Sequence, residues 1–524
     1  MNEEIEEYYE ELYRLYIDEN QPLERRYRQL RESLERVVRE RIQGNSLQTT
    51  DLAARINYVA TQYGLDLKEQ NQLHTFRLTS NDILNHRKSP VKEEFLRDLR
   101  AVAYAYRKMF AQDIPLKLFS VLPKQEIASS GKKEKMEYIR RIRVCFDYAD
   151  DTYLYVHPVD VIADEPIRVV YNKPGINHEF EETIKELWRY AQLNLLDVSV
   201  DRDGIYTPSF IVLEPDYLID ISSLAECYKD YGSHPANYFL SRLVPIDNAR
   251  PLLLGNIANL FLDEWIHAGE EEPDYIDCMK KAFRQYPIEL AACAELRDPS
   301  KEKEFAKDCR MHFEHIRDVV QHTFLEPGYN LDKKEAVLEP SYICEALGIQ
   351  GRLDYMQRDM SSFIEMKSGK ADEFSMQGKV EPKENNKVQM LLYMAVLEYS
   401  MGQDRRRMHP YLLYTRYPLL YPARASWAQV RRVINLRNRI VAAEYGVQFH
   451  NHSDFTRNLL AQINPEVMNE RKLRGRFWEQ YLKPSISRLR EKLSALEPLE
   501  QAYFYTLYNF ITKELYTSKS GDVD

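Results

Sequence analysis

In the segment GRLDYMQRDMSSFIEMKSGK, residues 351–370, two short alternating runs carry Asp354 on the first and Glu365 and Lys367 on the second. The polar stretch Arg358, Asp359, Met360 and Ser361 between them is expected to be a hairpin turn. That turn sets Asp354 opposite Glu365 and Arg352 opposite Lys367, while Leu353, Tyr355, Ile364 and Met366 face a core. Directly paired strand residues have Cβ atoms about 5 Å apart, where two carboxylates repel. A divalent cation between them is the simplest offset. Two hard oxygens completed by water suit Mg²⁺ or Mn²⁺, and such an ion acidifies water and polarises a phosphoryl oxygen. Lys367 is then placed to orient a nucleophile or steady developing negative charge. The chemistry suggested is phosphodiester hydrolysis; the same pattern also fits a solvated strand face carrying ordinary ion pairs.

The next helical stretch, NKVQMLLYMAVLEYS, holds Gln389 and Tyr393 one turn apart, so an amide and a phenol leave the same face. The GxxD at Gly351–Asp354, the acid-x-Lys at Glu365–Lys367 and the QxxxY at Gln389–Tyr393 together resemble the RecB-type branch of the PD-(D/E)XK nucleases. The longer context is most similar to the nuclease half of flap-processing replication and repair nuclease-helicases and to CRISPR-associated exonucleases. The resemblance implies an α/β (α+β) restriction-endonuclease-like core. It also implies that Asp354 and Glu365 hold Mg²⁺ or Mn²⁺, that Lys367 assists the attacking water, and that Gln389 and Tyr393 support the site. Glu339 stands where relatives often carry a further acid. In LLLGNIANLFLDEWI the family's glycine and histidine ligand positions fall on Gly255 and Asn259; an asparagine oxygen can still ligate a hard cation, more weakly than imidazole binds a transition metal. His267, His315 and His322 are alternative ligands on neighbouring helical segments.

Many such relatives hold a four-cysteine iron–sulfur cluster. Here the cysteines are Cys145, Cys227, Cys278, Cys293, Cys309 and Cys344, with no CxxC pair and none after Cys344, so no cluster is expected. No GxxxxGK[ST] loop occurs, so no ATP site is expected. A helicase would then act in a longer chain of which these residues are part, or as a separate partner.

Net charge is −10 over 524 residues, yet Arg405, Arg406, Arg407, Arg416, Arg424, Arg431, Arg432, Arg437 and Arg439 follow one another without an acid. Tyr411, Tyr414, Tyr417, Tyr421 and Trp427 are interleaved among them. Arginine pairs well with phosphate and aromatic rings stack on unpaired bases, so a groove for single-stranded DNA is one reading; a solvated helix beside buried tyrosines is the other. Arg352 and Lys370 would extend the groove near the hairpin, and RKLRGRFWEQYLK reads as a second basic cluster.

Periodicity assigns residues 1–112 to a helical region and 113–215 to a β-rich accessory domain, a small barrel or sandwich. Residues 216–450 read as the nuclease domain and 451–524 as a basic helical region leading, on the resemblance, toward a helicase. No apolar run approaches the ~20 residues of a membrane span, and the acidic start is unlike a secretory signal. A cytoplasmic, metal-dependent deoxyribonuclease acting on single-stranded ends or flaps is expected. The rival reading is a nucleic-acid-binding scaffold with a weakened nuclease fold, serving a helicase or an antiphage defence complex.

Overall fold

A computed structural model describes the chain except residues 1–2, 43–51, 124–137, 161–164, 202, 244–249, 330, 375–378, 424–425, 450–452 and 521–524. It is a mixed α/β protein, with an N-terminal helical region and several β-sheets. Two compact units emerge, one of Met1–Glu214, Val441–His452 and Phe510–Asp524, the other of Pro215–Ile440 and Ser453–Asn509. The described residues of the helical and β-rich regions fall in the first of these units, and the described residues after 452 fall partly in each. Among the described residues no helix is long and apolar enough to cross a membrane.

In the first unit the helices Leu23–Ile42, Leu67–Leu84 and Lys92–Phe110 bury Tyr27, Leu30, Leu34, Phe76, Phe95 and Val102 at helical spacing. The helix at Leu67 starts on a capping box, in which Asp66 and Glu69 each accept from the other's backbone N–H. The β-rich part has strands β1 (Tyr138–Ala149), β2 (Tyr153–Pro158), β3 (Ile167–Val170), β4 (Gln192–Val200), β5 (Tyr206–Thr207) and β6 (Phe210–Leu213). They pair in the order β1-β2-β3-β5-β4, and β4 pairs back to β1, closing a ring to which β6 is added on β4.

The second unit contains β7 (Ile219–Asp220), β8 (Ala336–Leu338), β9 (Ser341–Cys344), β10 (Ile349–Arg352), β11 (Tyr355–Gln357) and β12 (Ser362–Lys367). After these come β13 (Asp372–Phe374), β14 (Lys379–Glu381), β15 (His409–Tyr414) and β16 (Leu419–Pro422). A five-stranded sheet runs β16-β15-β12-β11-β8, and β7-β10-β9 form a smaller one. The central strand β12 lies antiparallel to β11 but parallel to β15. Parallel neighbours need a crossover, which the helix Glu384–Met401 provides before ending at Gly402 in the left-handed conformation. Strands covered on both faces read as continuous burial, and Ser362 through Met366 are all buried. On one face Ile364 and Met366 pack with Ile257, Phe261 and Trp265 of the helix Arg250–His267 and with Phe313 of the helix Pro299–Gln321.

Candidate active site

The hairpin forms with the register its turn residues dictate: Tyr355 faces Ile364, Met356 faces Phe363, and the chain reverses through Arg358–Ser361. Met360 takes a left-handed φ of 59°, and Asp359 accepts from both Ser361 N–H and its hydroxyl, which closes the turn. One expectation fails. Arg352 ends β10 in the smaller sheet, paired with Ser341, so it does not lie opposite Lys367. The chain leaves that sheet at Leu353 and Asp354 before entering β11, which breaks the long strand that alternation alone suggested.

Asp354 sits at this junction, half-buried, and its Oδ2 accepts from Met366 N–H at 2.6 Å. Glu365 is 4% exposed. Its Oε1 accepts from Lys367 Nζ at 2.9 Å and from Gln389 Nε2 at 2.6 Å. Its Oε2 is buried with no hydrogen-bond partner. Burial, and then the Asp354 charge, raise the Glu365 carboxyl to about 8. Burial also raises Asp354, against the pull of the Met366 amide. For Lys367 burial favours the neutral amine, but the Glu365 and Asp354 charges outweigh it and hold the ammonium above its ordinary value.

The supporting helix meets the sheet where the sequence spacing placed it. Gln389 reaches Glu365 and, at 3.4 Å, Ser222 Oγ of the helix Ile221–Ala225. One turn on, Tyr393 Oη donates to the Arg352 carbonyl at 2.5 Å. Gly351 eases that approach, because a Cβ there would lie 3.0 Å from Tyr393 Oη and 3.1 Å from Ile221 Cδ1 and would push both aside. Glu339 has its backbone N–H on the Asp354 carbonyl at 3.1 Å, while Arg352 holds its carboxylate at 3.2 Å.

On the helix Arg250–His267, a Cβ at Gly255 would meet Ser368 Oγ at 3.3 Å, and Asn259 is half-buried one turn later. Another turn on is Asp263, a residue the sequence reading missed; burial, then the Glu339 charge and, less strongly, Asp354 push its carboxyl up to about 6. Its spacing of four from Asn259 was the available signal. Glu226, also missed, pairs with Lys229 and accepts from Asn385, and its charge is felt at Lys367. His267 and His322 are bonded to carbonyls of their own helices and His315 to the Thr415 carbonyl. Of these three, His267 is the one whose charge reaches Asp263. Among the described residues no group of three or more His, Cys, Asp or Glu side chains is arranged to hold a metal. The six cysteines are buried free thiols.

The arginine run divides. Arg437 is fully buried and donates to the Gly348 carbonyl at 3.1 Å and the Tyr217 carbonyl at 2.6 Å, so it is a structural residue and not a phosphate contact. Arg431 is buried as well, whereas Arg432, Arg406, Arg407 and Lys370 are exposed and Arg416 is half-buried. Arg405 lies over the Trp427 ring, 4.6 Å from its centroid, and 3.6 Å from Glu398; Arg406 pairs with Asp404 at 3.0 Å. Tyr411 and Tyr414 are core residues and not stacking surfaces. The helix Trp427–Phe449 explains this, since Val430, Val433, Ile434, Leu436, Ile440 and Val441 bury it on several sides and leave few positions free. Arg424 lies outside the described residues.

No protein-family model and no curated protein matches the chain.

Proposed function

We propose that this protein is a metal-dependent nuclease of the RecB-type PD-(D/E)XK class, hydrolysing phosphodiester bonds in single-stranded DNA. The observation that carries the reading is the orphaned Glu365 Oε2, buried beside Asp354, with a charged lysine on the other oxygen. A buried carboxylate oxygen without a donor is costly, and a hard cation satisfies it. Asp354 and Glu365 would hold Mg²⁺ or Mn²⁺, with water and substrate oxygens completing the shell, since Mg²⁺ is commonly bound through one or two carboxylates. Asn259, Asp263 and Glu339 would supply supplementary oxygens in this reading. The ion supplies Lewis-acid polarisation and a more acidic water when bound. Lys367 keeps its proton and offers positive charge to the scissile phosphate, and Gln389 fixes Glu365 while Tyr393 ties the helix to the end of β10. The antiparallel β11–β12 hairpin followed by a helix and the parallel strand β15 supports a restriction-endonuclease-like core. Exposed Arg432, Arg407 and Lys370, with Arg352 where it is not held by Glu339, are cations available to the strand, and a helicase would supply single-stranded ends.

Asn259, in the position that the resemblance gives to a histidine ligand, favours the second reading of a DNA-binding scaffold with weakened chemistry. Incubation of end-labelled single-stranded DNA with the protein in Mg²⁺ or Mn²⁺ separates the two. Shortened products that disappear in EDTA support the nuclease, and retained binding without products supports the scaffold.

A further inference from the structure

The ring of the first unit carries a surface with no part in the site above. Its five strands close in the order β1-β2-β3-β5-β4-β1, with β3 and β5 parallel and the short helical segment His178–Lys185 between β3 and β4. Val144, Leu154, Val156, Val169, Leu193 and Leu195 fill the interior. Part of the outer wall is covered, for Cys145 and Tyr190 join the core of the N-terminal helices and Arg77 donates to the Val159 carbonyl. The wall of β2 and β3 is furnished differently.

There Tyr148 pairs with Tyr155, and Tyr155 with Arg168, forming one rung across three strands. The two phenol rings stack 4.3 Å apart and 12° from parallel, and Tyr148 is 50% exposed. Tyr153, two residues before Tyr155 and on the same face, meets it edge-on, while the exposed Arg168 lies 5.8 Å from the Tyr153 centroid. Two nearby acids are engaged. Asp150 accepts from Thr152 N–H, Tyr153 N–H and Tyr155 Oη, and Asp147 holds Arg189 at 2.8 Å. Arg168 also donates to the Asp203 carbonyl in the β4–β5 loop. In small closed Greek-key barrels the second and third strands, with the β1–β2 and β4–β5 loops, are where oligomeric ligands lie.

We infer that this face is a binding platform for single-stranded nucleic acid, with bases stacking on Tyr148, Tyr155 and Tyr153 and Arg168 meeting a phosphate. Flat aromatic rings beside a guanidinium match the alternation of base and phosphate along an unpaired strand, and stacking takes any base. A neutral oligosaccharide would use the rings but leave Arg168 without a counter-charge. The inference does not depend on the chemistry proposed for Glu365.

The test uses the full chain carrying Glu365→Gln, in EDTA, with a fluorescent twelve-residue oligothymidylate containing 5-iododeoxyuridine. Photo-crosslinks are expected at Tyr148 or Tyr155. Tyr148→Ala with Tyr155→Ala should weaken binding about tenfold or more, Arg168→Glu should weaken it too, and the paired Phe replacements should leave it unchanged. If the alanine variant does not fold, the crosslinks and Arg168→Glu decide. Crosslinks confined to residues 215–440 and 453–509, or displacement of the oligonucleotide by cello-oligosaccharides, would overturn the inference. A wild-type chain that crosslinks here yet cleaves nothing in Mg²⁺ would leave the platform standing and remove the nuclease reading.

Discussion

The Gln389 amide donates to Glu365 Oε1 at 2.6 Å and so ties the crossover helix to the central strand beneath it. The bond leaves Oε2 as the free oxygen of that carboxylate. Gln389→Ala should keep the fold at a cost of about 1–3 kcal/mol and lower the single-turnover cleavage rate by about 10–100-fold, as loss of an orienting partner does at metal sites. Gln389→Glu should be worse, because it sets another carboxylate against Glu365. Wild-type rates in both variants would remove Gln389 from the site.

The raised Glu365 carboxyl makes stability depend on pH. A carboxylic acid whose folded pKa lies above its unfolded value keeps its proton in the fold after the unfolded chain has lost it. The metal-free protein should therefore lose this contribution as pH rises from the ordinary value of 4.5 to about 8, and change little beyond. Glu365→Gln should remove that slope. Urea unfolding of both proteins at several pH values gives the difference; identical pH profiles would show that Glu365 ionises normally.

Gly351 and Gly255 both lie against the site but should respond differently to alanine. Gly351→Ala drives a Cβ against Tyr393 and Ile221, and overpacking of this kind costs about 1–3 kcal/mol. Gly255→Ala meets a hydroxyl at 3.3 Å from within a helix, where alanine is the better helix former by about 1 kcal/mol. Thermal unfolding should show Gly351→Ala clearly below wild type and Gly255→Ala near it; the reverse order would contradict the packing described.

Much of the site was legible because short-range rules fix it. Alternation and the turn chemistry of Asp359 and Ser361 set the hairpin register, and a spacing of four set Gln389 and Tyr393 on one face. Arg352 was misplaced because strand alternation cannot reveal that the chain changes sheets at Leu353 and Asp354. Arg437 was misread because a buried arginine bonded to carbonyls looks, in sequence, like any cation in a basic run. Asp263 was invisible as a neighbour of Asp354 because it comes from a helix about ninety residues earlier, brought close by the packing of Phe261 and Trp265 on Ile364 and Met366.

The arginines should separate by burial. Arg437→Met removes one donor from the Tyr217 carbonyl and one from the Gly348 carbonyl, which keeps Ile219 N–H at 3.1 Å, and it should lower stability by about 1–3 kcal/mol. Arg432→Glu should leave stability near wild type and flatten the plot of log K for single-stranded DNA against log[salt] by about 0.7 or more. An unchanged salt slope would place the strand away from the Trp427–Phe449 helix.

In the proposed chemistry Glu365 and Lys367 act together on a phosphodiester. Single-turnover cleavage of 5′-labelled single-stranded DNA by wild type, Glu365→Gln and Lys367→Met, each with Mg²⁺ and each paired with a binding measurement, tests it most directly. Cleavage by wild type alone is expected, with all three proteins binding the DNA within a few-fold of one another. Cleavage by Glu365→Gln at the wild-type rate, or none by wild type in Mg²⁺ and Mn²⁺ alike, would contradict it.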